Sequence, residues 1–244
     1  MYKLETLEVQ HLTRKGQYED ISFKLHKGEI LSFVGLVGAG RTELMHSIFG
    51  ITKPDSGKIL LNGQEVNFKN PKDAIEHGIA YVTEDRKGEG LVLPMSVEKN
   101  ITIASLKSFV KKGFLQNKKE VEIVKQEIAS LGIKVSRTSM DVKSLSGGNQ
   151  QKVVLAKWMI ARPNILIFDE PTRGIDVQAR AEIYSIINEL VDNGKSIILV
   201  SSDLNEILSM SNTIITMCDG RITGTLNNTS SLTQAQVMKQ MLGE

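Results

Sequence analysis

The chain of 244 residues is long enough for one large or two small domains, and its 41% hydrophobic and 24% charged content is that of an ordinary globular protein. With 30 basic against 28 acidic residues, a net charge of +2 and no dense Lys/Arg run, nothing supports a nucleic-acid surface. Cys218 is the single cysteine and suits a reducing compartment; no apolar run approaches the roughly 18 residues needed to cross a bilayer, and Met1 to Glu5 lack the apolar core of a secretory signal.

In chain order, short apolar runs alternate with amphipathic stretches, the pattern of a layered α/β sheet with helices packed on it. Strands are expected at residues 7–12, 21–25, 30–34, 79–82, 165–168 and 197–200. The last two are continuous apolar runs, as in central parallel strands buried on both faces. Asn62-Gly63 and Asp219-Gly220 supply the positive φ angles of tight hairpins, so antiparallel margins should flank a parallel core. Val121, Val124, Ile128 and Leu131 recur at helical spacing among lysines and glutamates, which predicts one stripe of a surface-packed helix. With helical stretches expected at 96–106 and 148–161, they outline a helical subdomain of about residues 86–162. It sits between core segments 1–85 and 163–244, all in one domain of residues 1–244. A later helix over 179–191 puts Ile183, Ile186, Ile187 and Leu190 on one face and stops at Asn193-Gly194.

Three features carry chemistry. Strand 30–34 runs into Gly35-Leu36-Val37-Gly38-Ala39-Gly40-Arg41-Thr42, where absent side chains let backbone N–H groups close around an anion. The helix over 41–49 aims its positive end at that anion, worth up to about 2 kcal/mol when partly buried. The loop departs from the phosphate-loop pattern G-x-x-x-x-G-K-[ST] at Arg41, where lysine is called for, and Thr42 is the expected magnesium-holding hydroxyl. Alone, it could be a tight glycine turn. Leu145-Ser146-Gly147-Gly148-Asn149-Gln150-Gln151-Lys152 is a second glycine turn opening a helix, and 24 residues after Leu145 an apolar run ends in Asp169-Glu170. Asp169 fits the residue that holds magnesium through water, and Glu170 the base that orients or deprotonates an attacking water. Such a pair could also be a solvated strand end, but loop, turn and carboxylates in this order suit a triphosphate and its magnesium.

These residues resemble the nucleotide-binding subunits of ATP-binding cassette (ABC) transporters over roughly residues 5–226. Leu145-Ser146-Gly147-Gly148 is similar to the family signature, Asp169-Glu170 to its Walker B end and Gly174-Ile175-Asp176 to its D-loop. Gly38 to Leu44, Glu84-Asp85-Arg86-Lys87 and Pro171 to Val177 look like the second half of tandem ATPases of monosaccharide importers of the ribose, galactose and xylose type. In those, two cassettes share one polypeptide. The resemblance implies a P-loop NTPase cassette fold with a mainly parallel core, an antiparallel β margin and an inserted helical subdomain. It implies ATP bound by Gly35, Gly38, Ala39, Gly40, Arg41, Thr42 and Glu43, with Mg2+ on Thr42, Asp169 and Glu84. Cassettes of this kind pair head to tail, so Ser146, Gly147, Gly148 and Gln150 would serve the partner's nucleotide. Implied partners are an N-terminal cassette of the same full-length protein, permease transmembrane subunits and, indirectly, a periplasmic or extracellular sugar-binding protein, with no nucleic acid. The chain would then sit peripherally at the cytoplasmic side of the cell membrane.

Departures from the family pattern concentrate on the phosphates. Arg41 keeps the lysine's charge as a broad planar fork. Glu84 stands at the Q-loop glutamine, and two like charges about 4 Å apart cost on the order of 4 kcal/mol near a surface, so it must ligate magnesium or swing away. Ser202 replaces the switch histidine with a shorter, uncharged hydroxyl, so Glu170, Glu84 and Ser202 form an altered catalytic set. No aromatic for adenine stacking occurs from Leu12 to Lys15, which leaves Tyr18 as a stand-in. Two readings follow: an ATPase motor half coupled to membrane subunits through residues 86–100, or a regulatory module that clamps its partner's ATP and turns over none itself. A third, a soluble non-transport ABC ATPase, is weakened by the absence of basic arms or a long coiled coil.

Overall fold

The computed structural model describes residues 5–243; Met1 to Leu4, four of the five residues read for a leader, and Glu244 lie outside the described residues. Strand β1 (Glu5–Arg14) pairs antiparallel with β2 (Tyr18–His26), burying Leu7, Val9 and Leu12 against Ile21, Phe23 and Leu25 at every second or third position. Strand β3 (Ile30–Gly35), buried throughout, leads through the glycine loop into helix α1 (Arg41–Ile48). Strands β4 (Ser56–Leu61) and β5 (Gln64–Val66) turn at Asn62-Gly63 with φ of 49° and 78°. Helix α2 (Pro71–Glu76), capped by the Asn70 side chain, precedes β6 (Ile79–Val82). A single π-turn at Arg86–Gly90 is followed by α3 (Val97–Thr102), a 3-10 stretch at Ile103–Phe109, the hairpin β7 (Val110–Lys111) with β8 (Phe114–Leu115), and α4 (Asn117–Ser130). Then come α5 (Gly147–Met159), β9 (Ile165–Asp169), α6 (Val177–Asp192), β10 (Ser196–Val200), α7 (Leu204–Met210), β11 (Thr213–Cys218), β12 (Arg221–Asn227) and α8 (Gln234–Met241).

The chain forms two compact units. The first holds the described residues to Tyr81, Asn164–Glu170 and those from Ile187 onward, and contains two sheets. Strands β12-β11-β3-β10-β9-β6 form one, with β11, β3, β10 and β9 running parallel and β12 antiparallel at its margin. Strands β2-β1-β4-β5 form a separate antiparallel sheet. Of the two tight turns, Asp219-Gly220 therefore makes the margin of the parallel sheet, while Asn62-Gly63 belongs to the other sheet. The burial patterns of β1 and β2 give the reason: one face alone is buried, whereas β9 and β10 are buried at every position.

The second unit holds Val82–Pro163 and Pro171–Ile186. Helix α5 is its centre, with Val153, Val154, Leu155 and Ala156 wholly buried. The stripe expected on α4 is rotated. Val124 is buried but Val121 is exposed, and its inward neighbour is Glu120, whose carboxylate takes 3.0 Å contacts from Lys99 Nζ and a 2.7 Å bond from the Thr102 hydroxyl. A buried glutamate with both partners on a preceding helix cannot be read from apolar spacing. The expected helix over 96–106 breaks at Thr102 into the 3-10 stretch, where Ser105 leaves helical geometry. On α6, Ile183 and Ile187 are fully buried and Ile186 and Leu190 half-buried, and Gly194 at φ 79° closes the helix with bonds back to Val191 and Leu190 carbonyls from its own and Lys195's N–H.

Candidate functional site

The glycine loop is built by close packing. Gly40 adopts φ 89° as the residue before α1, and a Cβ there would lie 2.5 Å from the Gln17 carbonyl oxygen, so only glycine fits. Leu44 N–H bonds the Gly40 carbonyl and Ala39 N–H the Leu36 carbonyl, both at 3.0 Å, while Val37 at the tip is 97% exposed. Gly35 ends β3; Gly38, exposed at φ 83°, lies beside a cavity of about 610 Å³ whose walls include Lys15, Gln17, Glu19 and Asp219. Thr42 and Glu43 are half-buried in the first turn of α1. Tyr18 does not serve as a stacking surface. Its side chain is 2% exposed, and burial raises its phenol above the ordinary range.

Asp169, the last residue of β9, is fully buried. Tyr81 donates its hydroxyl to Oδ2 at 2.7 Å, and the buried Oδ1 accepts no hydrogen bond. Burial raises the Asp169 carboxyl above its usual range; Tyr81, the facing Thr42 hydroxyl and the Arg41 charge oppose that rise. A buried acceptor without a donor, with a hydroxyl oxygen facing the same carboxylate, is the donor set a hard cation such as Mg2+ takes. Among the described residues no group of three or more His, Cys, Asp or Glu forms a closed metal cage.

Glu170 follows at φ 46°, an uncommon angle for a non-glycine, held by its N–H on the Val200 carbonyl at 2.9 Å. Its side chain is 14% exposed. Burial raises its pKa, and a hydrogen bond from the exposed Ser202 hydroxyl and the Arg41 charge lower it. Arg41 is buried. Its Nη1 donates to the Ser201 carbonyl at 3.0 Å and lies 3.9 Å from Glu170 Oε1. The first unit thus gathers Arg41, Thr42, Asp169, Glu170 and Ser202 at one place, at the carboxyl ends of β9 and β10 where an open parallel sheet binds its ligands.

In the second unit, Ser146 caps α5: its exposed hydroxyl accepts from Asn149 Nδ2 at 3.0 Å and from the Asn149 N–H. A Cβ on Gly148 would lie 2.4 Å from the Ala179 Cβ, so α5 and α6 approach closely only because that residue is glycine. Gln150 does not join the exposed cap. It is 4% exposed, and its Nε2 donates to the Val142 and Leu145 carbonyls of its own loop. Its place one turn into α5 points the side chain back toward the preceding segment. Asp176 caps α6 through the Ala179 N–H at 2.9 Å. Glu84 forms an ion pair with Arg173, and Arg86 donates to the Arg173 and Gly174 carbonyls at 2.8 and 3.1 Å. Glu84 is thereby neutralised by an arginine.

A family model described as ABC transporter matches residues 18–173, nearly two thirds of the chain. The chain belongs to the ABC transporter family. Among curated relatives of this family member, a ribose import ATP-binding protein RbsA of Geobacillus kaustophilus is 47% identical over 98% of the chain and 48% of its own length. A putative ribose/galactose/methyl galactoside import ATP-binding protein of the same organism is 47% identical over 98% of the chain and 47% of its own length. The chain spans about half the length of these relatives. Solved structures share the fold: an ATP-binding cassette of an ABC transporter in an ADP conformation has a TM-score of 0.80 at 19% identity, covering 98% of this chain and 99% of that one. A nucleotide-free cassette gives 0.79 at 19% identity, covering 98% and 96%. The mainly parallel α/β cassette expected from the sequence is the fold observed.

Tyr81 and Arg173 were not singled out by sequence reasoning. Tyr81 sits at the edge of an apolar strand where an aromatic reads as core, and its hydroxyl reaches Asp169 from 88 residues away. Arg173 adjoins Gly174-Ile175-Asp176, and an acid at position 84 was the signal that a cation should stand near it.

Proposed function

We propose that this chain is the carboxy-terminal nucleotide-binding cassette of a tandem ATPase that drives monosaccharide import, binding and hydrolysing ATP with magnesium. The observation that carries this reading is the buried Asp169 carboxylate, with Oδ1 unpartnered and the Thr42 hydroxyl facing it at the start of α1. Asp169 and Thr42 hold the magnesium, which supplies charge neutralisation to the phosphates when bound. Loop N–H groups from Gly38 to Thr42 and the amino end of α1 bind the phosphate oxygens. Glu170 orients the attacking water and accepts its proton, with Ser202 fixing the carboxylate. Glu84 is engaged by Arg173 within the second unit. Ser146, Gly147 and Gly148 cap a helix whose positive end serves the nucleotide of a paired cassette. The names of the relatives support sugar import, and their length supports a second cassette in the same polypeptide, with permease subunits and a sugar-binding protein as further partners.

Calorimetric titration of the chain with ATP, with magnesium and with chelator, tests this. Tight binding that needs magnesium and is lost in Asp169→Asn supports it; ATP binding indifferent to both refutes it. A second reading, a module that clamps nucleotide without turning it over, is favoured by one observation: Arg41 is spent on Ser201.

A further inference from the structure

Six of the nineteen residues from Lys107 to Lys125 are lysine, none is arginine, and two are acidic, a net of +4 against +2 for the whole chain. Spread along the sequence they form no run, but the fold turns them outward. All six lysines are exposed, and among the described residues none is in an ion pair. Glu120 is withdrawn, buried against Lys99, which leaves Glu122 as the one acidic side chain on the surface of this stretch. The β7–β8 turn is made by Lys112-Gly113, at φ 50° and 83°, and it holds Phe114 79% exposed beside Val110 and Leu115, which are exposed as well. On α4 the side opposite Glu120 and Val124 carries Lys118, Val121, Glu122 and Lys125 around a shallow groove whose wall is almost wholly apolar. The groove is apolar because the lysine stems lie along Val121 with their ammonium groups in water.

We infer that the β7–β8 hairpin and the outward side of α4 dock on anionic lipid headgroups. Charge complementarity argues for this occupant. Exposed ammonium groups on flexible stems, without one guanidinium fork among them, suit a fluid anionic surface better than fixed carboxylates on a folded partner. An aromatic at a turn tip flanked by lysines suits the headgroup boundary, where the ring enters and the lysines remain at the phosphates. This surface shares no residue with the nucleotide site.

The test is co-sedimentation of the full chain with phosphatidylglycerol-containing vesicles and with phosphatidylcholine vesicles. The chain should bind the anionic vesicles alone and be released by salt. A Lys111→Glu, Lys112→Glu, Lys118→Glu variant should lose on the order of a hundredfold in partitioning, and Phe114→Ser roughly tenfold. Both should keep the parent circular dichroism and the parent response to magnesium ATP. Equal binding to neutral vesicles, no binding to either, or partitioning unchanged by the triple variant would overturn the assignment. Capture by polyglutamate in solution without vesicle binding would also overturn it, in favour of an acidic protein.

Discussion

Arg41 Nη1 donates to the main-chain carbonyl of Ser201 at 3.0 Å, tying the start of α1 to the end of β10 across the site. A guanidinium so held and buried must give up this bond before it can turn to a phosphate. Arg41→Lys removes the fork, and the shorter ammonium on a flexible stem is free for the β- and γ-oxygens. Calorimetric titration with magnesium ATP should show binding tightened by about tenfold, the worth of one hydrogen bond to a charged group. Equal or weaker affinity would show that the arginine fits the phosphates as well as lysine does.

Gly148 lies where α5 meets α6. Alanine would place its Cβ 2.4 Å from the Ala179 Cβ, and neither helix has a flexible side chain there to give way. Gly148→Ala should destabilise the protein by about 1–3 kcal/mol, read as a lower urea midpoint. The double variant Gly148→Ala, Ala179→Gly should regain most of it, since the overlap is between these two methyl positions.

What the sequence made legible was whatever is governed by neighbours in the chain. The two Asn-Gly and Asp-Gly turns, the all-buried β9 and β10 and the glycine loop before α1 each follow from a few adjacent residues. The phase of α4 depends on a partner outside the helix, Lys99 for Glu120, and the inward turn of Gln150 depends on how the loop just before α5 folds back to offer the Val142 and Leu145 carbonyls, neither of which apolar spacing encodes. Tyr81 on Asp169 is the sharpest case, because an apolar strand carrying one tyrosine gives no sign of where its hydroxyl points.

Lys157 carries the clearest pH dependence. It is buried in α5, donates to the Gly90 carbonyl at 2.7 Å, lies 4.8 Å from the centre of the Trp158 ring, and among the described residues forms no ion pair. Burial lowers its pKa to about 8, against 10.5 ordinarily. The unfolded chain therefore holds this proton more tightly than the folded one, so stability rises as pH climbs from about 8 toward 10.5 and is lower throughout the range below. The full difference is about 3 kcal/mol. Urea unfolding at pH 7.5 and about 9.5 should show that rise in the parent, and Lys157→Met should remove it. An equal pH response in both would place the titration elsewhere.

Removing the Tyr81 hydroxyl leaves the buried Asp169 carboxylate without its 2.7 Å donor. Tyr81→Phe should cost about 1–3 kcal/mol in stability. With one stabilising bond gone, the carboxyl's pKa rises further and its charged form is harder to keep, so magnesium-dependent ATP binding should weaken at low pH first. A titration repeated at pH 6 and pH 8 reads the difference; unchanged affinity at both would detach Asp169 from magnesium.

Glu170 separates the motor from the clamp. Burial raises its carboxyl above the ordinary glutamate range, while the Ser202 hydroxyl and the Arg41 charge oppose that rise. Glu170→Gln keeps the shape and abolishes the proton acceptor, so turnover at this site should fall by about 10²–10⁴-fold while ATP binding persists. If, as proposed, this chain is one half of a tandem ATPase, steady-state phosphate release by that full protein should drop, with the remainder due to the second cassette. An unchanged rate would assign all hydrolysis to that cassette and leave this one to clamp nucleotide through Ser146 and its helix cap.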